Sequence, residues 1–201
     1  MSDNKVKEYT DAELIAKMQK ASGFISFPTG YFFCGVQSEE DTYNVFDDKM
    51  YLFHNNPKKR IITFVAVTTC TTNAGTTGLN NYERYNSKGC AVVKTNQWYY
   101  DLWSFGYHRG KMPALKQVGD ILVYRDYNKN QKIEEIGPVY KGKYGINFHT
   151  AVYGHAVGFF RRLIGGWSVG CQVLNNYDAY LNMLNKVKNQ SRISYVLLKE
   201  F

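Results

Sequence analysis

The chain predicts a mainly β fold, a β-rich α+β domain with two short helices. Two features carry that prediction. Aromatics make up 16% of the residues, with 17 Tyr and 12 Phe, and aromatic and β-branched side chains suit pleated, half-buried surfaces. Short apolar runs broken by turn residues also recur along nearly the whole length, with a helical period in only two places. At 201 residues and 44% hydrophobic, the chain fits one sizeable core, so residues 1–201 read as a single domain.

The first helix is expected over residues 10–22. Thr10-Asp11-Ala12-Glu13 reads as a capping box, with Leu14, Ile15 and Met18 on one face and Gly23 as the stop. Residues 24–53 follow as short aromatic runs. Among them Gly30-Tyr31-Phe32-Phe33-Cys34-Gly35-Val36 reads as a strand with Cys34 as a small core residue. Asp47-Asp48 reads as a strand end or turn. The run Ile61-Ile62-Thr63-Phe64-Val65-Ala66-Val67-Thr68-Thr69 is nearly continuous in hydrophobicity and reads as a central strand. Residues 71–88 read as a long polar loop of the kind that often carries function. Residues 97–105, 121–125, 145–149, 156–160, 168–174 and 194–198 read as further strands. Asn176 is expected to cap a second helix whose apolar stripe is Tyr177, Tyr180, Leu181, Leu184 and Val187.

Charge and cysteine content narrow the function. Lys and Arg number 25 against 17 Asp and Glu, a net charge of +8, which favours anionic partners. The positive residues are scattered, the densest runs being Lys58-Lys59-Arg60, Arg161-Arg162 and Lys186 with Lys188. No dedicated nucleic-acid binding is expected. No apolar stretch is long enough to span a bilayer, and the start lacks a signal peptide, so synthesis and folding in a reducing cytoplasm are expected. Cys34, Cys70, Cys90 and Cys171 have no zinc-motif spacing.

The strongest local signal is Trp167-Ser168-Val169-Gly170-Cys171-Gln172-Val173. A glycine before the cysteine permits a tight turn and a close substrate approach. Consecutive amides there, those of Gly170 and Cys171, are placed to hold an oxyanion. A thiol needs a partner to be nucleophilic at neutral pH, and the upstream segment Gly145-Ile146-Asn147-Phe148-His149-Thr150 offers His149 as that base. His155 is the rival base. His108 and Arg109, in a Gly-flanked loop, are candidates for holding a substrate carboxylate.

His149-Thr150, seventeen residues, then Ser168-Val169-Gly170-Cys171 resembles the catalytic signature of the L,D-transpeptidase family. There a histidine and a small residue precede Ser-His-Gly-Cys. The order of Phe105-Gly106-Tyr107-His108-Arg109-Gly110, Val123-Tyr124-Arg125-Asp126-Tyr127-Asn128 and the segment 145–173 is similar to that of phage and prophage proteins carrying this domain. The resemblance implies a β-sandwich or pseudo-barrel fold and action on peptidoglycan stem peptides. It implies Cys171 as nucleophile and His149 as base, with Ser168 and Gly170 flanking the nucleophile. His108, Arg109, Asn147, Trp167 and Gln172 then become the expected substrate contacts. His155 lies too close to Ser168 for the signature. Val169 departs from the pattern, standing where the family has a second histidine.

The implied chemistry is acyl transfer through a thioester at Cys171, resolved by water (carboxypeptidase or endopeptidase) or by an amine (transpeptidase). Delivery as a virion component, or release to the wall in the manner of an endolysin, would bring such an enzyme to its substrate. The alternative is a non-catalytic virion or wall-binding protein of the same fold, with other virion proteins as its partners. An activated Cys171 would alkylate well below pH 8. No cofactor and no metal are expected. A zinc site from His108, His149, His155 and Cys171 has no motif spacing behind it. Asp126-Tyr127-Asn128-Lys129-Asn130 resembles the start of a calcium loop. Gln131 stands where that loop needs glycine, and no acid stands at its twelfth position, so an Asn-rich β-turn is the expected reading.

Overall fold

A computed structural model describes residues 6–40, 42–155 and 158–201. The N-terminal capping box forms: the Thr10 Oγ1 accepts the Glu13 amide and the Glu13 carboxylate accepts the Thr10 amide. It starts helix α1, Asp11–Lys20, whose Leu14 and Met18 are buried. Strands β1 (Gly30–Gln37), β2 (Asp48–Asn56) and β3 (Ile61–Thr71) follow. Within residues 71–88 a short helix α2 (Thr76–Asn80) and one turn of 3-10 helix (Tyr82–Arg84) replace the expected loop, so three α-helices are described rather than two. Next come β4 (Cys90–Val93), β5 (Gln97–His108), β6 (Met112–Gln117), β7 (Ile121–Asp126), β8 (Tyr140–Gly142), β9 (Phe148–Thr150) and β10 (Gln172–Leu174). Helix α3 (Tyr177–Val187), capped by the Asn176 side chain on the Ala179 amide, and β11 (Ile193–Lys199) complete the chain.

Eight strands close into a barrel in the order β1-β11-β5-β6-β9-β10-β3-β2, and β4, β7 and β8 form a separate three-stranded sheet. The fold is therefore mainly β, as the composition predicts, but the main sheet is a closed barrel rather than a sandwich. Closure removes most open edges. Strands β1 and β11 pair in parallel and are buried on both faces, which is why both read as unbroken apolar runs. Phe33, Tyr195 and Leu197 face one core with Trp103 and Phe148. Phe32, Cys34, Val196 and Leu198 face a second core, with Leu14 and Met18 of α1. The Trp98 indole N–H donates to the Met18 carbonyl at 2.8 Å and fixes α1 on that face. Ala91, Val93, Ile121 and Val123 of the small sheet belong to the first core, so the barrel and the small sheet share it.

Two sequence expectations fail here. Strand β3 is not central along its length. It pairs with β2 throughout, but β10 covers only Cys70 and Thr71, because β10 is three residues long. Ile61, Phe64 and Val67 are consequently exposed. The expected strand 156–160 is not formed over residues 158–160, where Phe160 makes only an isolated bridge to Asn176, and residues 156 and 157 lie outside the described residues.

Gln117 holds the segment that enters β9. Its Oε1 accepts the Tyr144 and Ile146 amides, both at 2.9 Å, and its Nε2 donates to the Gly119 and Gly142 carbonyls. Its own amide donates to the Asn147 Oδ1 at 2.9 Å. The buried Trp103 indole adds a bond to the Ile146 carbonyl at 2.8 Å. Replacing Gln117 by Leu leaves two amides and two carbonyls without these partners. Each stranded buried group costs about 1–3 kcal/mol. Chemical denaturation of Gln117→Leu should therefore show a loss of at least about 2 kcal/mol, where an exposed polar-to-apolar change such as Gln131→Leu would show almost none.

Candidate functional site

The register of the two short strands sets the site. β9 and β10 run parallel, with Phe148 opposite Gln172 and His149 opposite Val173, and the Gln172 amide donates to the Asn147 carbonyl at 2.9 Å. Side chains alternate along a strand, so residues 147 and 149 share a face with residues 171 and 173. His149 and Cys171 are thus diagonal neighbours on one face. The end of β5 adds His108, whose ring stacks on that of His149 with centroids 4.2 Å apart. The ligand atoms of His108, His149 and Cys171 all lie within 4.8 Å of one another.

Hydrogen bonds fix the tautomers. His149 is buried, and its Nδ1 lies 3.1 Å from the Thr150 carbonyl. A carbonyl only accepts, so Nδ1 carries the proton and Nε2 carries the lone pair. That Nε2 is buried and makes no hydrogen bond. The Asn147 side-chain NH2 lies 3.1 Å from His108 Nδ1, so Nδ1 of His108 is an acceptor and its proton sits on Nε2. The Cys171 thiol donates to the Gly145 carbonyl, at 3.4 Å.

Burial dominates the electrostatics. Desolvation, with the neighbouring His108 and Arg109 adding to it, lowers the His149 pKa to about 3. Desolvation raises the Cys171 pKa to about 11, opposed by the Asn147 amide and by Arg109. Desolvation and Arg109 also lower the His108 pKa. At neutral pH the pair rests as thiol and neutral imidazole. Burial works against the alkylation well below pH 8 that an activated Cys171 would show.

The residues flanking Cys171 shape its turn. Ser168 Oγ donates to the Cys171 carbonyl at 2.9 Å and accepts the Gly170 amide at 3.1 Å. The Gly170 amide is thereby committed, and it is not available to an oxyanion as the sequence suggested. The Cys171 amide has no partner among the described residues. Gly170 has φ +115°, and a Cβ there would come within 2.7 Å of the Ala91 carbonyl oxygen, so only glycine fits. Gln172 is fully buried and bonded on every side: its Oε1 accepts the Tyr195 hydroxyl at 2.6 Å, and its Nε2 donates to the Thr72 and Gly170 carbonyls. It belongs to the barrel core and has nothing left for a substrate. Trp167 packs on the cluster of Phe46, Ala151, Ile164 and Val173, against which Cys171 also packs, with Arg161 over its ring, and it does not line the groove. His155 is exposed on a surface turn, stacked on Phe159 at 4.2 Å, and takes no part in the cluster.

Cys171 lies at the end of a groove of about 560 Å³. Arg84, Arg125, Lys143, Tyr85 and Tyr144 line it, and no carboxylate does. The Arg125 guanidinium lies 4.6 Å from the centre of the Tyr144 ring. Sequence reasoning missed all five. Only Arg84 and Tyr85 carried a signal, since they lie in the 71–88 stretch read as functional.

The cluster also has the donor types of a three-ligand zinc site. Its geometry argues against one. Imidazole lone pairs lie in the ring plane, and the two rings are stacked at 25°, so their lone pairs do not converge on an ion about 2 Å from each. His108 Nδ1 is in addition occupied by Asn147.

No protein-family model matches this chain, and no curated protein or solved structure does. Among the described residues, no helix is long and apolar enough to cross a membrane.

The thiol makes a direct prediction. Cys34, Cys70 and Cys90 are buried, and Cys171 alone of the four is part-exposed. Iodoacetamide labelling, read by peptide mass spectrometry on the native protein, should reach Cys171 first. Its rate should climb about tenfold per pH unit from pH 7 to 9, because the thiolate fraction does so below a pKa of about 11. Fast labelling that is independent of pH below 8 would mean a preformed thiolate and would contradict the geometry.

Proposed function

We propose that the chain is a cysteine-dependent acyl-transfer enzyme acting on peptidoglycan stem peptides through a thioester at Cys171. The observations that carry this reading are the unengaged Nε2 of His149 in its lone-pair tautomer, a ring nitrogen of His149 within 4.8 Å of the Cys171 sulfur, and the open groove that Cys171 lines. A neutral imidazole is the form that accepts a thiol proton. Since both groups rest neutral, proton transfer to Nε2 accompanies the attack of sulfur on the substrate carbonyl rather than preceding it.

The carbonyl carbon between diaminopimelate and D-alanine gains a bond to sulfur. Its oxygen becomes an oxyanion, which the free Cys171 amide is placed to meet. Collapse breaks the C–N bond, and the proton held by His149 goes to the leaving amine. An imidazolium with so low a pKa gives up its proton readily. Water then hydrolyses the thioester, or an acceptor amine takes the acyl group, which separates hydrolase from transferase outcomes. Stem peptides carry free carboxylates, and Arg84, Arg125 and Lys143 supply the matching charge. His108 stacked on His149 puts a second imidazole in the site from a distant part of the chain, where the L,D-transpeptidase-like pattern at Val169 lacks one.

A wall-binding module without turnover is the second reading, and the raised thiol pKa favours it. A phage origin, with a virion or endolysin-like route to the wall, fits either reading. Purified peptidoglycan digested with wild type, Cys171→Ala and His149→Gln separates the two. New stem-peptide products in the wild type, reduced about 10³-fold or more in both variants, support the enzyme. Their yield should be flat from pH 5 to 8, because a base of pKa about 3 stays neutral across that range. The products should also persist with 1,10-phenanthroline, a zinc chelator. Identical wild-type and Cys171→Ala profiles would overturn the assignment.

A further inference from the structure

Beside the groove, Asp126 at the end of β7 has a carboxylate oxygen without a hydrogen-bond partner among the described residues. Asp126 is 6% exposed, and its Oδ2 is buried with no hydrogen bond. Asp126 forms no ion pair among the described residues. Lys88 and Arg125 line the same cavity of about 170 Å³, but Lys88 lies over the Tyr140 ring and Arg125 over the Tyr144 ring. A buried carboxylate is ordinarily paired, hydrogen-bonded on both oxygens or bound to a metal. Here one oxygen is served and the other is not.

The chain around it is arranged as an oxygen-lined loop. The Asn128 amide donates to Asp126 Oδ1, the Asn130 amide to Asn128 Oδ1, and the Lys132 amide to Asn130 Oδ1. Each amide oxygen has a second lone pair left over. The Asn128 and Asn130 side-chain NH2 groups both hold Glu134 Oε2, which brings a second carboxylate to the loop. Asp126, Asn128 and Glu134 line the cavity together. Gln131, the position where a calcium loop uses glycine, has φ +64°, so the left-handed turn that the glycine serves is made regardless. The Asn-rich turn expected from sequence is present, with a buried, half-satisfied acid at its root.

We infer that residues 126–134 bind a calcium ion, with the Asp126 and Glu134 carboxylates and the Asn128 and Asn130 amide oxygens as ligands. Hard oxygen donors in this number, completed by water, suit calcium rather than zinc. Gly137 stands at the twelfth position, where a tight calcium loop has a bidentate glutamate, so affinity falls in the weak class of about 10⁻⁴–10⁻³ M. Burial raises the Asp126 pKa, the Asn128 amide opposes this, and the charge of Glu134 adds to it. Two carboxylates that repel each other across a cavity are the arrangement a cation relieves.

The test is a calcium chloride titration of the chelator-treated full chain, followed by isothermal calorimetry and by thermal unfolding. One-site binding with a rising Tm is expected. Asp126→Asn and the part-buried variant Glu134→Gln should each weaken binding tenfold or more. Glu134→Gln keeps the test valid if Asp126→Asn fails to fold. No heat and no Tm shift up to 20 mM calcium, or undiminished binding in Glu134→Gln, would overturn the inference. None of these outcomes depends on the chemistry at Cys171.

Discussion

The parallel pairing of β9 with β10 is the constraint on which the site depends. Each strand is three residues long, yet their register decides which face carries the imidazole and the sulfur. A slip of one residue would turn Cys171 to the opposite face from His149. So short a pairing is not fixed by its own ladder. It is held from outside, by Gln117 and Trp103 on the incoming segment and by the Ser168 turn on the other side. The barrel core behind it, with Phe148, Trp103 and Tyr195 fully buried, supplies the rigidity that a site on short strands needs.

That same burial shapes the chemistry. A dry pocket keeps both members of the pair neutral, so reactivity must come from the arrangement of a bound substrate and not from a standing thiolate. Arg109 moderates this: its charge favours the thiolate of Cys171 and disfavours protonation of His149. The Thr150 carbonyl contributes by selecting the tautomer that leaves Nε2 free. Under the proposed function, the groove cations Arg84, Arg125 and Lys143 would act at longer range on an acidic chain.

Local features were legible in the sequence. The Thr10 capping box and the Asn176 cap depend on residues within one turn of each other, and both form. The near-continuous apolar character of β1 and β11 was readable as burial, because apolar side chains on both faces leave no polar period. The pairing of His149 with Cys171 was legible only through the L,D-transpeptidase-like order of motifs, and the parallel pairing of β9 with β10 gives it a geometry. What depended on tertiary partners was not. The run 61–69 looks central by composition, but centrality depends on the neighbour, and β10 is too short to cover it. Arg84, Arg125 and Lys143 come from three segments, and no spacing rule joins them. Gln172 and Trp167 lay beside the nucleophile in sequence, but alternation and the Ser168 turn send them elsewhere. His108 was named as a substrate contact, whereas its stacking on His149 comes from the end of β5, which β6 joins to β9 in the barrel.

The central claim is that Cys171 forms a covalent acyl intermediate with His149 as its base. Intact-protein mass spectrometry, after brief mixing with a purified stem tetrapeptide and acid quenching, tests it most directly. The account predicts a wild-type adduct with the mass of the acyl tripeptide, mapped to Cys171 by peptide digestion. The adduct should be missing in Cys171→Ala and strongly slowed in His149→Gln. Release of D-alanine from the tetrapeptide with no adduct on the wild type, or with an undiminished rate in Cys171→Ala, would contradict it.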